Sequence, residues 1–114
     1  MIYLNLLFLD AIYLSFIGKP LFEKMIKNIT NKSPSYNLVG IIGSYLFLLL
    51  GLQYFIINKN MSPNDAFILG IVIYGVFDMT NLALFDGYDI KVAIIDMLWG
   101  AFLFYLVTKI MQNK

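Results

Sequence analysis

Three aspartates lie inside long apolar segments of this 114-residue chain, where a carboxyl group could bind a proton or a cation. They are Asp10, Asp78 and Asp96. Each lies in a run of about 17 to 22 mostly apolar residues, which is long enough to cross a bilayer. A carboxylate at the centre of a membrane helix costs at least about 2.5–3.5 kcal/mol. Because three such costs must be offset, the sequence predicts a buried acidic site.

Composition limits the class of protein that can hold this site. The chain is 61% hydrophobic and 13% charged, whereas soluble domains carry about 25% charged residues. It has no Cys and no His, which excludes disulfides, thiol catalysis and the usual zinc sites. A net charge of +1 without a basic patch predicts no nucleic-acid partner. We expect an integral membrane protein in a lipid bilayer, with no cofactor other than a cation that the carboxylates could hold.

Length and hydropathy predict a single transmembrane domain, residues 1–114, with spans at about 2–18, 36–57, 66–85 and 90–110. The runs lack the alternation of barrel strands, so we expect an all-α fold, an integral membrane four-helix bundle. Between the first two spans, residues 19–32 place apolar side chains on one helical stripe and lysines on much of the rest. This pattern predicts an amphipathic segment lying in the membrane interface; the alternative is a solvated extension of the first helix.

Local signals mark the ends of the later helices. Ser33-Pro34 predicts the start of the second helix, and Ser62-Pro63 followed by Asp65 predicts a capping box at the start of the third. Asp86-Gly87 predicts a tight turn, so the last two spans should form an antiparallel hairpin. Tyr88, near a span end, is predicted to be a membrane-interface anchor. Small residues should allow close helix contact at five positions: Gly40, Ser44, Gly51, Gly70 and Gly75.

The three aspartates are predicted to lie at one level. A rise of about 1.5 Å per residue places Asp10 about 12 Å, Asp78 about 10 Å and Asp96 about 9 Å below the face that carries the first and third loops. Clustered carboxylates without a counter-ion cannot all stay ionised in a low dielectric, so either some carry protons or a cation lies among them. Hard oxygen ligands would favour Na⁺, Ca²⁺, Mg²⁺ or Mn²⁺ over zinc.

Polar and aromatic side chains accompany the aspartates at helical spacing, and these can hydrogen-bond a carboxylate while filling apolar space. The alternative is that the aspartates have only a structural role and hold the helices together through interhelical hydrogen bonds. The polar shell that we expect around the carboxylates consists of Tyr13, Tyr74, Thr80, Asn81 and Trp99.

Three motifs carry a resemblance to a known family. They are LDAIYL at residues 9–14, YGVFDMTNLA at residues 74–83 and DMLWG at residues 96–100. The chain resembles an uncharacterised family of small predicted four-helix membrane proteins, a domain of unknown function, whose members carry LDxxWL, YGxYDxTNxA and DxxWG in the same order. This chain has Tyr13 where Trp is usual and Phe77 where Tyr is usual. The resemblance implies a four-helix membrane fold and marks the same three aspartates, but it implies no activity.

Lysine distribution gives an orientation. Five lysines fall on the side of the first and third loops and three on the other side, which predicts both termini on the non-cytoplasmic side.

Three functions remain open from the sequence. The favoured hypothesis is a transporter or channel for protons or cations, working as a homo-oligomer because four short helices enclose little volume. A structural or accessory membrane subunit is the first alternative. A membrane-embedded lipid-modifying enzyme is the second, and we favour a non-catalytic role because no lipid-enzyme motif is present.

Overall fold

The computed structural model describes residues 2–31 and 37–112, and all regular structure within these ranges is helical. Four helical stretches are long and apolar enough to cross a membrane, which confirms the all-α membrane bundle. They are Leu4–Thr30, Leu38–Ile57, Pro63–Leu84 and Ile90–Gln112. The α-helical elements are α1 (Ile2–Tyr13), α2 (Lys19–Thr30), α3 (Leu38–Leu52), α4 (Pro63–Leu84) and α5 (Ile90–Gln112).

The first span does not end at Gly18 as the sequence predicts. A π-helical segment, Leu14–Gly18, joins α1 to α2, and the backbone is right-handed helical through both junctions. The sequence Gly18-Lys19-Pro20 is typical of a helix end, because Pro20 has no N–H to donate. Here the wide π-helical turn precedes Pro20, and the chain stays helical. The resulting 27-residue stretch is about 40 Å long. Because a bilayer core is about 30 Å thick, a helix of this length projects beyond the hydrocarbon unless it is strongly tilted.

The amphipathic segment is helical, as expected, but its apolar stripe packs on protein. Met25 is buried against Tyr88, Val92 and Ala93 at the end of the α4–α5 hairpin. Three more side chains of α2 join this cluster, and the lysines between them, such as Lys24, stay exposed. The stripe therefore covers the end of the hairpin, because the continuous helix carries it to the level at which the hairpin turns.

Two predicted helix boundaries are confirmed, and one lies outside the described residues. At the start of α4 the Ser62 hydroxyl accepts from Asp65 N–H at 3.1 Å, and the Asp65 carboxylate accepts from Ser62 N–H at 3.1 Å. The α4–α5 turn contains Gly87 at φ +86°, a conformation that favours glycine. The Ser33-Pro34 pair is not among the described residues. The cap seen for α3 is Asn37, whose side chain accepts from Val39 N–H at 2.9 Å.

Helices α4 and α5 approach to near backbone contact at Gly70. A Cβ atom there would lie 2.7 Å from the Gly100 carbonyl oxygen and 2.9 Å from Ala101 Cα. This confirms the predicted close contact at Gly70. The same prediction is wrong for Gly40 on α3, where an added Cβ would meet no described atom outside its own helix within 4 Å.

Two hydrophobic clusters lie toward opposite ends of the bundle, and the three aspartates lie between them along each helix. The cluster at the end where α1 begins joins all four spans. The other joins α2 to the α4–α5 hairpin without α3. The first half of α3 is therefore loosely held, and Val39 there is 80% exposed. The first cluster consists of Leu6, Leu52, Ile56, Ala66, Leu103, Phe104 and Val107.

Candidate functional site

Asp10 is held by donors from two other helices. The Trp99 indole N–H donates to Oδ1 at 2.8 Å, and the Tyr45 hydroxyl donates to Oδ2. The carboxylate is buried, and both of its oxygens are engaged. Asp10 therefore ties α1 to α3 and α5.

Asp78 has one partnered oxygen and one unpartnered oxygen. It is fully buried on α4, and its Oδ1 accepts from the Tyr88 hydroxyl at 2.9 Å. The Asn81 side chain hydrogen-bonds the same hydroxyl. Oδ2 has no hydrogen-bond donor among the described residues. Since an unpaired buried acceptor is costly, the environment of Oδ2 is the unusual feature of this site.

Asp96 on α5 is the acidic side chain that interacts with Asp78. Both side chains are buried, and their carboxyl groups interact electrostatically. Two ionised carboxylates have only acceptors, so a hydrogen bond between them requires a proton on one of the two. Such a proton would give Asp78 its missing partner. We call Asp78 and Asp96 the carboxyl pair.

Asp10 lies next to the carboxyl pair but does not join it. Its partner Trp99 is three residues after Asp96, about 4.5 Å along α5. Within the described ranges, no group of three acidic side chains is placed to hold a metal ion. Tyr45 and Trp99 occupy both oxygens of Asp10, so this carboxylate is engaged separately from the carboxyl pair.

Four of the five residues predicted for the polar shell lie at or near the carboxyls. Tyr13 stacks on Trp99 with ring centroids 4.6 Å apart, and its hydroxyl is buried with no partner among the described residues. Tyr74 packs its ring against Gly100. Asn81 reaches the site through Tyr88, as described above. Thr80 is the exception, since it is exposed on α4.

Sequence reasoning missed two tyrosines that bind the carboxylates. Tyr45 lies in the middle of an apolar span, where a buried hydroxyl needs a hydrogen-bond partner. Its position in the sequence could therefore have indicated a polar contact. Tyr88 was expected to anchor the membrane interface, but it is 7% exposed and turns inward to Asp78. That interpretation is wrong because the stripe of α2 covers the turn in which Tyr88 lies.

The Tyr88 hydroxyl remains a donor over a wide pH range. Burial raises the pKa of Tyr88 above its ordinary value. The hydrogen bond from Asn81 opposes this shift, and the hydrogen bond to Asp78 adds to it. The phenol thus keeps the proton that it donates to Asp78.

Replacing Tyr88 with phenylalanine should lower the free energy of unfolding by about 1–2 kcal/mol, because Asp78 Oδ1 loses its donor. Denaturant titration in detergent micelles measures the loss. Since the folded-state pKa is raised, the difference from wild type should be constant below about pH 10 and should shrink above it. Tyr54→Phe, at an exposed ring, is the control. Equal stabilities of the two variants would contradict the hydrogen bond.

A cavity of about 670 Å³ lies beside the carboxyls, between α1, α3, α4 and α5. Its polar lining includes Asp10, Asp96 and Tyr45. Its apolar lining includes Phe47 and Phe77, which are exposed at the outer surface of the bundle. The cavity therefore opens sideways, toward what would be hydrocarbon in a membrane. It exists because the first half of α3 stands away from the other helices.

Comparison with known proteins gives a family and no functional assignment. The family described as "Predicted membrane protein (DUF2177)" matches residues 1–111. No curated protein and no solved structure matches the chain.

Proposed function

Because the chain belongs to this family of predicted membrane proteins, we propose a function from its buried carboxyl groups. The protein is a proton carrier of the membrane, and the carboxyl pair holds the transported proton. The observation that carries this proposal is the burial of two acidic side chains on neighbouring spanning helices, Asp78 and Asp96, with the Asp78 Oδ2 lacking a donor among the described residues. A proton shared by the two carboxyl groups would supply that donor. Inside a bilayer, paired acidic groups of this kind are typical of proton relays.

The two members of the carboxyl pair have different surroundings. Asp96 lines the cavity, whereas Asp78 is fully buried behind it and hydrogen-bonded to Tyr88. Tyr88 lies at the α4–α5 turn, near one end of the bundle. A series of hydrogen-bonding groups thus leads from the turn, through Tyr88 and Asp78, to Asp96 at the cavity. Protons can enter or leave the carboxyl pair along this series.

The opposite end of the bundle supports a carrier in preference to an open pore. Leu6, Leu103 and Phe104 are fully buried there, in the cluster that joins all four spans. Apolar side chains so closely packed keep water out of this part of the bundle. Release of a proton on that side would require the helices to move.

A second copy of the chain fits this proposal, as the short spans suggested. Four helices of this length enclose little volume. The first half of α3 is exposed, and Leu38 and Ile42 there present apolar side chains to the outside of the bundle. Homo-oligomerisation and termini on the non-cytoplasmic side both remain predictions.

Asp10 favours the structural alternative for one of the three aspartates. Both of its oxygens accept hydrogen bonds from other helices. Interhelical hydrogen bonds of this kind hold membrane bundles together. We assign Asp10 to helix attachment and the carboxyl pair to proton binding. Nothing comparable among the described side chains favours a lipid-modifying enzyme.

Proton flux in liposomes tests the carrier. Wild-type protein reconstituted with a pH-sensitive dye inside should dissipate an imposed pH gradient, and Asp78→Asn and Asp96→Asn should each reduce flux to the level of protein-free liposomes. Asp86→Asn, at an exposed residue of the α4–α5 turn, is the matched control and should retain flux. Absence of flux in wild type, or unchanged flux in both pair variants, would overturn the proposal.

A further inference from the structure

The cavity beside the carboxyl pair has the size of a binding site for a small organic molecule. Its volume of about 670 Å³ falls within the range of about 300–1,000 Å³ found for ligand pockets. Two carboxyl groups, those of Asp10 and Asp96, lie in its wall. No lysine lines it among the described residues. The cavity therefore offers negative charge without a cation of its own.

Apart from Ser44, the remaining walls are apolar and aromatic. Tyr45, Phe47, Tyr74 and Phe77 contribute rings, and leucine and isoleucine side chains fill the spaces between them. Aromatic faces attract cations, and this attraction strengthens where water is excluded. A molecule with a positive charge and an apolar body would satisfy both the carboxyl groups and these walls.

The opening of the cavity determines how a ligand reaches it. Ile41, Phe47 and Phe77 line the cavity and are also exposed on the outside of spanning helices. A ligand would therefore enter from the hydrocarbon of the bilayer, which only a molecule that partitions into lipid can do. An inorganic ion would need a polar path, and Ser44 is the single exposed polar side chain among the described residues that line the cavity.

We propose that this cavity binds a lipophilic organic cation, with its charge beside Asp96 and its apolar body against the aromatic wall. The cation would compete with the proton for the Asp96 carboxylate, since each neutralises the same charge. Its role as the substrate exchanged for protons rests on the carrier function proposed above. Binding itself does not rest on that function.

Tetraphenylphosphonium and tetraphenylborate provide a matched test, because they share size and apolar surface but carry opposite charges. Binding of both radiolabelled ions is measured by equilibrium dialysis with the protein in lipid nanodiscs, and empty nanodiscs give the lipid background. We expect saturable binding of the phosphonium and none of the borate. Asp96→Asn should weaken phosphonium binding at least about tenfold, the loss expected when a buried charge loses its partner.

A second variant keeps the test independent of the carboxyl group. Ser44 lines the cavity and is exposed, so Ser44→Trp should fill the space and abolish phosphonium binding without disturbing the core. Val39→Trp is the control, because Val39 is exposed on the same helix but does not line the cavity. Equal binding of the two ions, or binding unaffected by Ser44→Trp, would overturn the cavity site. Binding without proton flux would overturn only the carrier, and flux without binding only the cation site.

Discussion

Replacing Gly70 with alanine should lower the free energy of unfolding by about 1–3 kcal/mol, the usual cost of overpacking, and valine should cost more. The added Cβ would lie 2.7 Å from the Gly100 carbonyl oxygen. That atom belongs to the backbone of α5 and cannot rotate away as a side chain could. The two helices would have to separate along their contact, which also holds Tyr74 and the carboxyl pair in place.

The chain supplies its own control for this prediction. Gly43→Ala on α3 adds the same methyl group where no atom lies within 4 Å. Since alanine is favoured over glycine in a helix, that variant should be as stable as wild type or slightly more stable. Denaturant titration of both proteins in the same detergent gives the comparison. If Gly70→Ala and Gly43→Ala are equally stable, α4 and α5 do not make the close contact described.

Replacing Asp10 with alanine should lower the free energy of unfolding by about 2–4 kcal/mol, because two buried donors lose their acceptor at once. The Tyr45 hydroxyl and the Trp99 indole N–H both donate hydrogen bonds to this carboxylate. Its removal would also release the middle of α3, which has few other attachments at that level. Asp86→Ala, at an exposed turn residue, should have little effect and serves as the control.

A double-mutant cycle separates the hydrogen bond from the general effect of losing a side chain. Tyr45→Phe removes only the hydroxyl, so Asp10→Ala should cost less in that background than in wild type. A coupling of about 1 kcal/mol is expected for an interhelical bond in a membrane protein. Additive losses would show that Tyr45 and Asp10 do not interact in the folded protein.

Features that depend on neighbouring residues could be read from the sequence. The capping box at Ser62 and the turn at Gly87 involve residues only a few positions apart, and both are confirmed. The four spans follow from length and hydropathy, which need no tertiary information. The buried positions of the aspartates follow from the same pattern, and all three are buried.

Features that depend on how the helices rotate about their axes could not be predicted. Asp10 and Tyr45 are 35 positions apart in the chain, and their meeting depends on the facing sides of two helices that share little other contact. Asp78 and Asp96 were expected near each other. The residues around Asp10 in the sequence, however, give no sign that Tyr45 and Trp99 would donate hydrogen bonds to it. Tyr88 was misread because its cover comes from α2, more than 60 positions earlier.

The π-helical segment Leu14–Gly18 has a consequence for helical phase. In a regular α-helix, residues five positions apart point about 140° away from each other. Here the wide turn brings the ring of Tyr13 over Gly18, so that an added Cβ would lie 2.8 Å from it. The segment therefore acts as a rotational offset between α1 and α2.

Two contacts depend on that offset, one at each end of the long helix. Asp10 must face Trp99 while Met25 faces Tyr88. Deleting one residue between them would turn one contact by about 100° relative to the other, so that both could not form together. The number of residues from Asp10 to Met25 is thus a structural requirement in its own right. Insertions and deletions between these two residues are disfavoured even at positions whose side chains face only lipid.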